Sequence, residues 1–346
     1  MFDDLKKNGS ELVVPAGGLN TEAQFHDFWC AHLADEKDLV LKALKGGMSS
    51  DRFAWVFLSG YQSAIKRTFP ELAADRWSSF AVSEDRRGEL PGLGWRKSEK
   101  GFLLKGYKTW VAAVDQMQTI IVKAGRGDEA IYLAVDREHP NLVLTTKEQG
   151  FLPEMSEGIA CFEEAELSSS SLLSDAKVKA FGKCEILFIY LAFCGLAIAR
   201  SKDNSVIEEG WRVAEKISIT LRDNEEFSGL KEIDTKVQAL RVKMGEDAPK
   251  VPNWNSDQKL IAMYSKGIQL YCAPTADDRD TWISTMTHVA LEGRCFVFSS
   301  CQYLLRKDCP DYYNPIQGND KNTIIMNGGS CIINPLGKII AGPIRN

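Results

Sequence analysis

The spacing of apolar positions changes several times along the chain, and each change marks a new kind of structure. Residues 20–50 read as helix: Asn20 or Thr21 caps the start, Phe25, Phe28, Trp29 and Leu33 recur at helical intervals, and Gly46-Gly47 stops it. A second helix over 51–67 carries Phe53, Val56, Phe57 and Tyr61 in one stripe before Pro70. The period then shortens. Trp77–Glu84 alternates like a half-buried strand. Gly101–Trp110, Gln118–Lys123, Ala130–Val135, Leu142–Thr146 and Gly158–Leu167 follow as strand candidates, split by Gly, Pro and charged turns. Short strands at this spacing predict an antiparallel barrel or sandwich.

Helical spacing returns after Val178. The stretch 179–201 is apolar all round, so the helix it forms should be enclosed on every side. The next, 204–221, places Ile207, Trp211, Ala214 and Ile217 on one face. The third, 230–244, carries Leu230, Ile233, Val237, Leu240 and Met244 and stops at Gly245. Gly245–Gln258 is a polar, proline-containing seam. Beyond it the style changes: the end of a helix over Asp257–Lys266, a buried strand over Ile268–Ala273, and a helix over Arg279–Glu292 with Trp282, Met286, Val289 and Ala290 on one face. A second strand over Cys295–Leu304 follows, then a hairpin over Ser330–Ala341 turning at Pro335–Gly337.

Composition adds exclusions. At 346 residues the chain has room for about two domains. A formal net charge of -5 gives no footprint for nucleic acid. The run Ile186–Ala199 is shorter than the roughly 20 apolar residues that span a bilayer, so a buried helix is expected and no membrane span. The start, MFDDLKKNGSELVVP, lacks the basic-then-apolar layout of a secretory signal. The 9 cysteines are odd in number, and no Cys-x-x-Cys pair occurs. A reducing, cytoplasmic setting with free buried thiols is therefore expected, and no metal site.

WSSFAVSE, followed by KGFLLKGYKTWVAAVD and QTIIVKAG, resembles the middle domain of the acyl-CoA dehydrogenases. The resemblance implies an FAD site. Ser83 and Glu84 stand where that family has a threonine-glutamate pair beside the flavin, and Lys108 and Trp110 match its second flavin segment. Ser83 would then meet the flavin edge, and Trp110 would pack against the ring system, where a flat indole covers a flat isoalloxazine. Taken alone, Trp110 reads as a core aromatic and Ser83 as a solvent-facing strand hydroxyl. Two departures weaken the site. Ala112 replaces a threonine, removing a flavin contact. The family's arginine-x-x-phenylalanine-glycine motif is stretched between Arg222 and Gly229, leaving Arg222 as a cofactor-phosphate candidate with a surface arginine as the plain alternative. The helix carrying the family's proton-abstracting glutamate has no counterpart, because the pattern ends at about Met244. Glu154 and Glu157 are the carboxylates in a loop near the expected site, but no motif marks either as a base.

AMYSKGIQLYCAPTADDRDTWISTMTHVALEGRCFVFSS and GGSCIINPLGKIIAGP resemble the C-terminal half of a nitrilase. That family uses a glutamate, a lysine and a nucleophilic cysteine, all upstream of this segment. The cysteine position falls in Pro249–Ser256, where no cysteine occurs. Cys272 and Cys295 read as buried strand residues. Trp282 and His288 would line or back the substrate pocket of an intact relative, although a lone helical histidine is more often a packing or polar-network residue than a catalyst.

The expected architecture is mixed α and β. It comprises a helical N-terminal part (1–76), an acyl-CoA dehydrogenase-like antiparallel β barrel or sandwich (77–176), a partial helical bundle (177–245), a linker (246–258) and half of an αββα sandwich (259–346). The expected function is a fusion of a flavoprotein-like fragment with a nitrilase-like fragment, neither active site complete and FAD occupancy low. A working FAD-dependent acyl-CoA dehydrogenase-type oxidoreductase, a non-catalytic assembly module and a carbon-nitrogen hydrolase remain alternatives. Acyl-CoA or a nitrile is the candidate ligand, and a homo-oligomer the candidate assembly.

Overall fold

The computed structural model describes residues 2–12, 18–85, 88–148, 150–223, 227, 229–245, 251, 254–257, 270–293 and 295–345. The chain divides into two compact units, Met1–Ala262 and Met263–Asn346.

The first unit opens with helices α1 (Asp3–Asn8), α2 (Glu22–His32), α3 (Leu39–Ser49) and α4 (Phe53–Thr68). The single helix expected over 20–50 is thus two. Thr21 starts α2 with a capping box: Gln24 N–H donates to Thr21 Oγ1, and the Gln24 side chain accepts from Thr21 N–H. Asp38 starts α3, its carboxylate accepting from Val40 N–H at 2.9 Å and Leu41 N–H at 3.2 Å. An acid that caps a new helix cannot also sit inside the old one, so the chain breaks before Asp38.

Helix α5 (Phe181–Arg200) is the apolar helix expected over 179–201. It is long and apolar enough to cross a membrane by length and composition alone, yet 72% of its apolar window is buried inside the protein. Helices α3 and α4 press directly on it. A Cβ at Gly47 would lie 1.9 Å from the Ala192 carbonyl oxygen, and one at Gly60 2.5 Å from Ile189 Cα. Helices α6 (Asn204–Asp223) and α7 (Leu230–Met244) complete the bundle. Helix α7 buries Ile233, Val237, Leu240 and Met244, as its stripe requires. Helix α6 bears out half of its expected face. Ala214 and Ile217 are buried, with Val206, Val213 and Leu221 beside them, while Ile207 and Trp211 are half-buried and Trp211 packs against Phe2 at 5.8 Å between ring centroids.

Between the helical parts lie β1 (Ser78–Ala81), β2 (Gly94–Lys97), β3 (Gly101–Ala112), β4 (Thr119–Ala124), β5 (Ile131–Asp136), β6 (Leu142–Thr146) and β7 (Glu157–Ser168). They form two sheets, β1-β4-β5 and β2-β3-β7-β6. Strand β1 runs parallel to β4, and the other pairs are antiparallel. Among the described residues neither sheet closes into a barrel, which corrects that half of the expectation. The reason is local: where β3 passes β1, Ala112 N–H donates to the Ser79 hydroxyl at 2.9 Å rather than to a strand carbonyl. A side chain takes the donor that a continuous ladder would need. A short helix α8 (Trp254–Asp257) follows the bundle, and Trp254 packs on Phe53 of α4 at 5.4 Å.

The second unit contains β8 (Leu270–Thr275), α9 (Asp280–Gly293), β9 (Phe296–Cys301), β10 (Tyr303–Leu305), β11 (Ile324–Asn327), β12 (Ser330–Ile333) and β13 (Ile339–Ile344). Strands β8 and β9 are parallel with α9 as their crossover, in a sheet of order β13-β12-β9-β8, and β10 pairs with β11. Helix α9 lays Met286 and Ala290, with Trp282 and Val289, on Ala273, Cys295, Val297, Cys331 and Ile333. The closing hairpin turns where expected, with Gly337 at φ 71° and its N–H donating to Asn334 at 2.8 Å. The first strand departs from expectation. Leu270, Tyr271 and Cys272 are exposed and Ala273 is buried. Strand β8 is the outer strand of its sheet, paired with β9 on one side among the described residues. So an apolar run need not be a buried run. The helix end expected over Asp257–Lys266 lies, beyond Asp257, outside the described residues, as does most of the seam.

Candidate functional site

Lys108 is the most deeply buried charge among the predicted flavin segments. Strand β3 carries it inward, where Nζ donates to Glu84 Oε1 at 2.7 Å and lies 3.4 Å from the Val82 carbonyl. Glu84 also accepts from Leu93 N–H at 3.2 Å and faces Arg126 at 3.6 Å. Burial alone would raise the Glu84 carboxyl. The Lys108 hydrogen bond and the Lys108 and Arg126 charges outweigh it and hold the group below its ordinary value. This pair pins the segment after β1 to β3, and Thr109 N–H adds a bond to the Ser83 carbonyl at 2.9 Å. The structure thus brings Ser83 beside the strand that carries Trp110.

Trp110 owes its direction to a bulge. Lys108 pairs with Ala160 and Val111 with Gly158, so β3 has one residue more than β7 over this stretch. A bulge turns a side chain out of strict alternation. The half-buried Trp110 ring meets Phe57 at 6.4 Å and Tyr61 at 6.1 Å, both nearly perpendicular. Phe151 and Phe181 extend this aromatic wall through Phe57 and Tyr61. The Tyr61 hydroxyl accepts from Phe80 N–H at 2.7 Å, which fixes α4 against β1. Phe57 and Tyr61 were legible only as an apolar stripe. Their spacing of four put them on one face, but nothing local said that the face would meet Trp110.

Ser83 is exposed, two residues beyond the end of β1. Arg222 lies away from this wall's residues in sequence and pairs with Asp38, the α3 cap. Residues 224–226, before Phe227, lie outside the described set. Glu154 faces Arg52 at 3.7 Å. Glu157 is the first residue of β7 rather than a loop residue, and its carboxylate accepts from Lys147 and from Phe151 N–H. Glu22 is the strongly perturbed acid that sequence reasoning missed. It is buried in the first turn of α2 and accepts from Ser156 N–H at 2.5 Å and from the Ser156 hydroxyl at 2.8 Å. Burial pushes its carboxyl up to about 7, the Ser156 bonds oppose this, and the Asp115 charge adds to it. A cavity of about 140 Å³ opens where Arg67, Lys177 and Lys179 surround the start of α5.

In the second unit the Trp282 indole N–H donates to Ser299 Oγ at 2.8 Å, and Ser299 Oγ donates to the Ala273 carbonyl at 3.3 Å. Trp282 therefore ties α9 to the sheet. His288 is exposed on α9. Burial pushes the thiols of Cys295, Cys301 and Cys331 above their ordinary value, away from thiolate chemistry. Cys272 is exposed, not buried as expected.

Comparison with known proteins finds different likenesses for the C-terminal region and for the rest of the chain. The carbon-nitrogen hydrolase family matches residues 252–346, so the C-terminal region carries a domain of that family. Nitrilase blr3397 of Bradyrhizobium diazoefficiens is 62% identical over 81 residues, 23% of this chain and 25% of that protein. The aliphatic nitrilase of Sinorhizobium fredii is 58% identical over 92 residues, 26% of this chain and 30% of that protein. The chain thus spans between a quarter and a third of the length of these relatives. Over three quarters of the chain the likeness is to a solved flavoprotein structure. The crystal structure of an FAD-dependent dehydrogenase superposes with a TM-score of 0.52, covering 75% of this chain and 89% of that one at 11% identity. That likeness is one of fold.

Proposed function

We propose that this chain is a fusion of an acyl-CoA dehydrogenase-like fragment with a nitrilase-like fragment, and that it completes neither active site. The observation that carries the reading is the change of lineage at one place. Trp254 lies within the carbon-nitrogen hydrolase match, yet it belongs to the first unit, where it packs on Phe53. The stretch Pro249–Ser256, where the resemblance puts a nucleophilic cysteine, holds none. The thiols of Cys295, Cys301 and Cys331 are raised by burial, which supports the loss of nitrile chemistry. On this reading Trp282 and His288 are remnants of a pocket wall, in a half of an αββα sandwich that begins near residue 259. The 77–176 stretch is the flavoprotein-like middle domain and 177–245 its shortened bundle. The free cysteines fit a cytoplasmic setting.

FAD is the cofactor to test. Trp110 fits the group: it is half-buried, it is turned out by a bulge, and its two ring neighbours stand perpendicular to it. Ser83 would supply a hydrogen bond at the flavin edge and Trp110 a flat face. A bound flavin would supply hydride acceptance. Arg222 fits poorly, because Asp38 already neutralises it. Weak or absent flavin retention follows. An absorption spectrum of the purified chain, with mass measurement of released small molecules, checks this. Stoichiometric FAD that acyl-CoA bleaches would overturn the reading in favour of a working oxidoreductase. Turnover of a nitrile would overturn it in favour of a hydrolase.

A further inference from the structure

We propose that Lys66 is a nucleophilic amine that captures small carbonyl compounds as an imine, in the groove between the α2–α3 turn and the segment after α4. The groove has a volume of about 510 Å³ and is lined in part by Asp35, Glu36, Lys42, Leu72 and Asp75. Lys66 sits in the last turn of α4 and also lines it. Its side chain is more than nine-tenths buried, and its ammonium has no hydrogen-bond partner among the described residues. Buried cations are normally paired, so a partnerless one in a groove wall needs an explanation.

The surroundings favour the neutral amine. Lys42 on α3 is buried as well, but it has partners of its own: the Ala34 carbonyl at 2.9 Å and the Trp29 ring at 5.1 Å. Burial lowers the Lys42 ammonium too, opposed by the Glu36 and Asp35 charges, and whatever charge it carries acts on Lys66. Glu36 is engaged by Lys45 and by Asp38 N–H. Asp75, after α4, is the counter-charge that acts on Lys66. Burial, reinforced by Lys42 and opposed by Asp75, lowers the Lys66 ammonium to about 8 from an ordinary 10.5. At pH 7.5 about a quarter of such amines are neutral, against about one in a thousand for an ordinary lysine. Amines desolvated beside a second cation are activated as nucleophiles in this way.

The chemistry needs no oxidant or reductant. The nitrogen lone pair attacks the carbonyl carbon and forms a C–N bond, while the carbonyl π pair moves to oxygen. A proton passes from nitrogen to that oxygen, and loss of water leaves C=N. Amine and carbonyl become imine and water. The four-carbon stem lets the nitrogen swing into the groove.

The test is reductive trapping on the full chain. Limiting formaldehyde with cyanoborohydride at pH 7.5 leaves N-methyl-lysine, which peptide mass spectrometry reads at each site. Lys66 should label at least tenfold faster than the exposed Lys97 and Lys231, and the ratio should fall to about one in urea. A Lys66→Arg variant should lose the fast-labelled site without any other lysine taking its place. Native labelling of Lys66 no faster than that of Lys97 overturns the proposal, as does a fast phase that survives in Lys66→Arg.

Discussion

At the scale of single residues, the clearest consequence concerns Glu22. Its ordinary value is 4.5, and in the folded protein it rises to about 7. The folded state therefore binds a proton that the unfolded chain releases between those two values. Stability contributed by the protonated, buried carboxyl is present at pH 4.5 and is lost as pH rises to about 7. Glu22→Gln keeps an acceptor for Ser156 and removes the titration. We expect thermal unfolding of the variant to lose the Glu22 share of the pH dependence, with a relative gain on the order of 3 kcal/mol at pH 8. An unchanged pH slope in the variant would show that Glu22 ionises freely. Nothing in the local sequence marked this residue. It reads as an acidic first-turn residue of a helix, and only its burial beside Ser156 and Asp115 makes it unusual.

Among elements, the crossing of α3 and α4 over α5 governs the first unit. Gly47 meets backbone, not a movable side chain, so Gly47→Ala has no soft neighbour to displace. Overpacking of this kind costs about 1–3 kcal/mol, and more where backbone must shift. Chemical denaturation of Gly47→Ala should show a loss at or above that range, although alanine is the better helix former. A neutral result would mean that the helices are not in contact there. The elements themselves were mostly legible, because amphipathic stripes and alternation report the period directly. What failed was continuity. The break before Asp38 hinged on a cap, and β2 was too short and polar to stand out. The barrel expectation failed because strand alternation says nothing about which edges pair.

For the molecule as a whole, two units with separate cores predict separable unfolding. Ile333 is fully buried in the cluster beneath α9. Ile333→Ala should cost about 2–5 kcal/mol in that core. Calorimetry should show the loss in one transition while the other keeps its position. A single transition that moves as one would mean that the units unfold together. Candidate-site residues divide along the same line. Trp110 and Lys108 were legible from their joined motif, whereas the aromatic wall of Phe57 and Tyr61 came from a helix distant in sequence. Arg222 carried a motif fragment, and its partner Asp38 could not be guessed from so far away.

The order of hydrophobic and polar residues was enough to set most of the helices and strand periods, because each depends on neighbours within a few positions, and the two family resemblances rested on longer motifs read residue by residue. Pairings between distant segments needed the folded chain: Glu22 with Ser156, Asp38 with Arg222, Lys66 beside Lys42, and the sheet edges left open. Those contacts join residues whose separation along the chain carries no local signature, and burial, which sets their chemistry, exists only once the chain has packed.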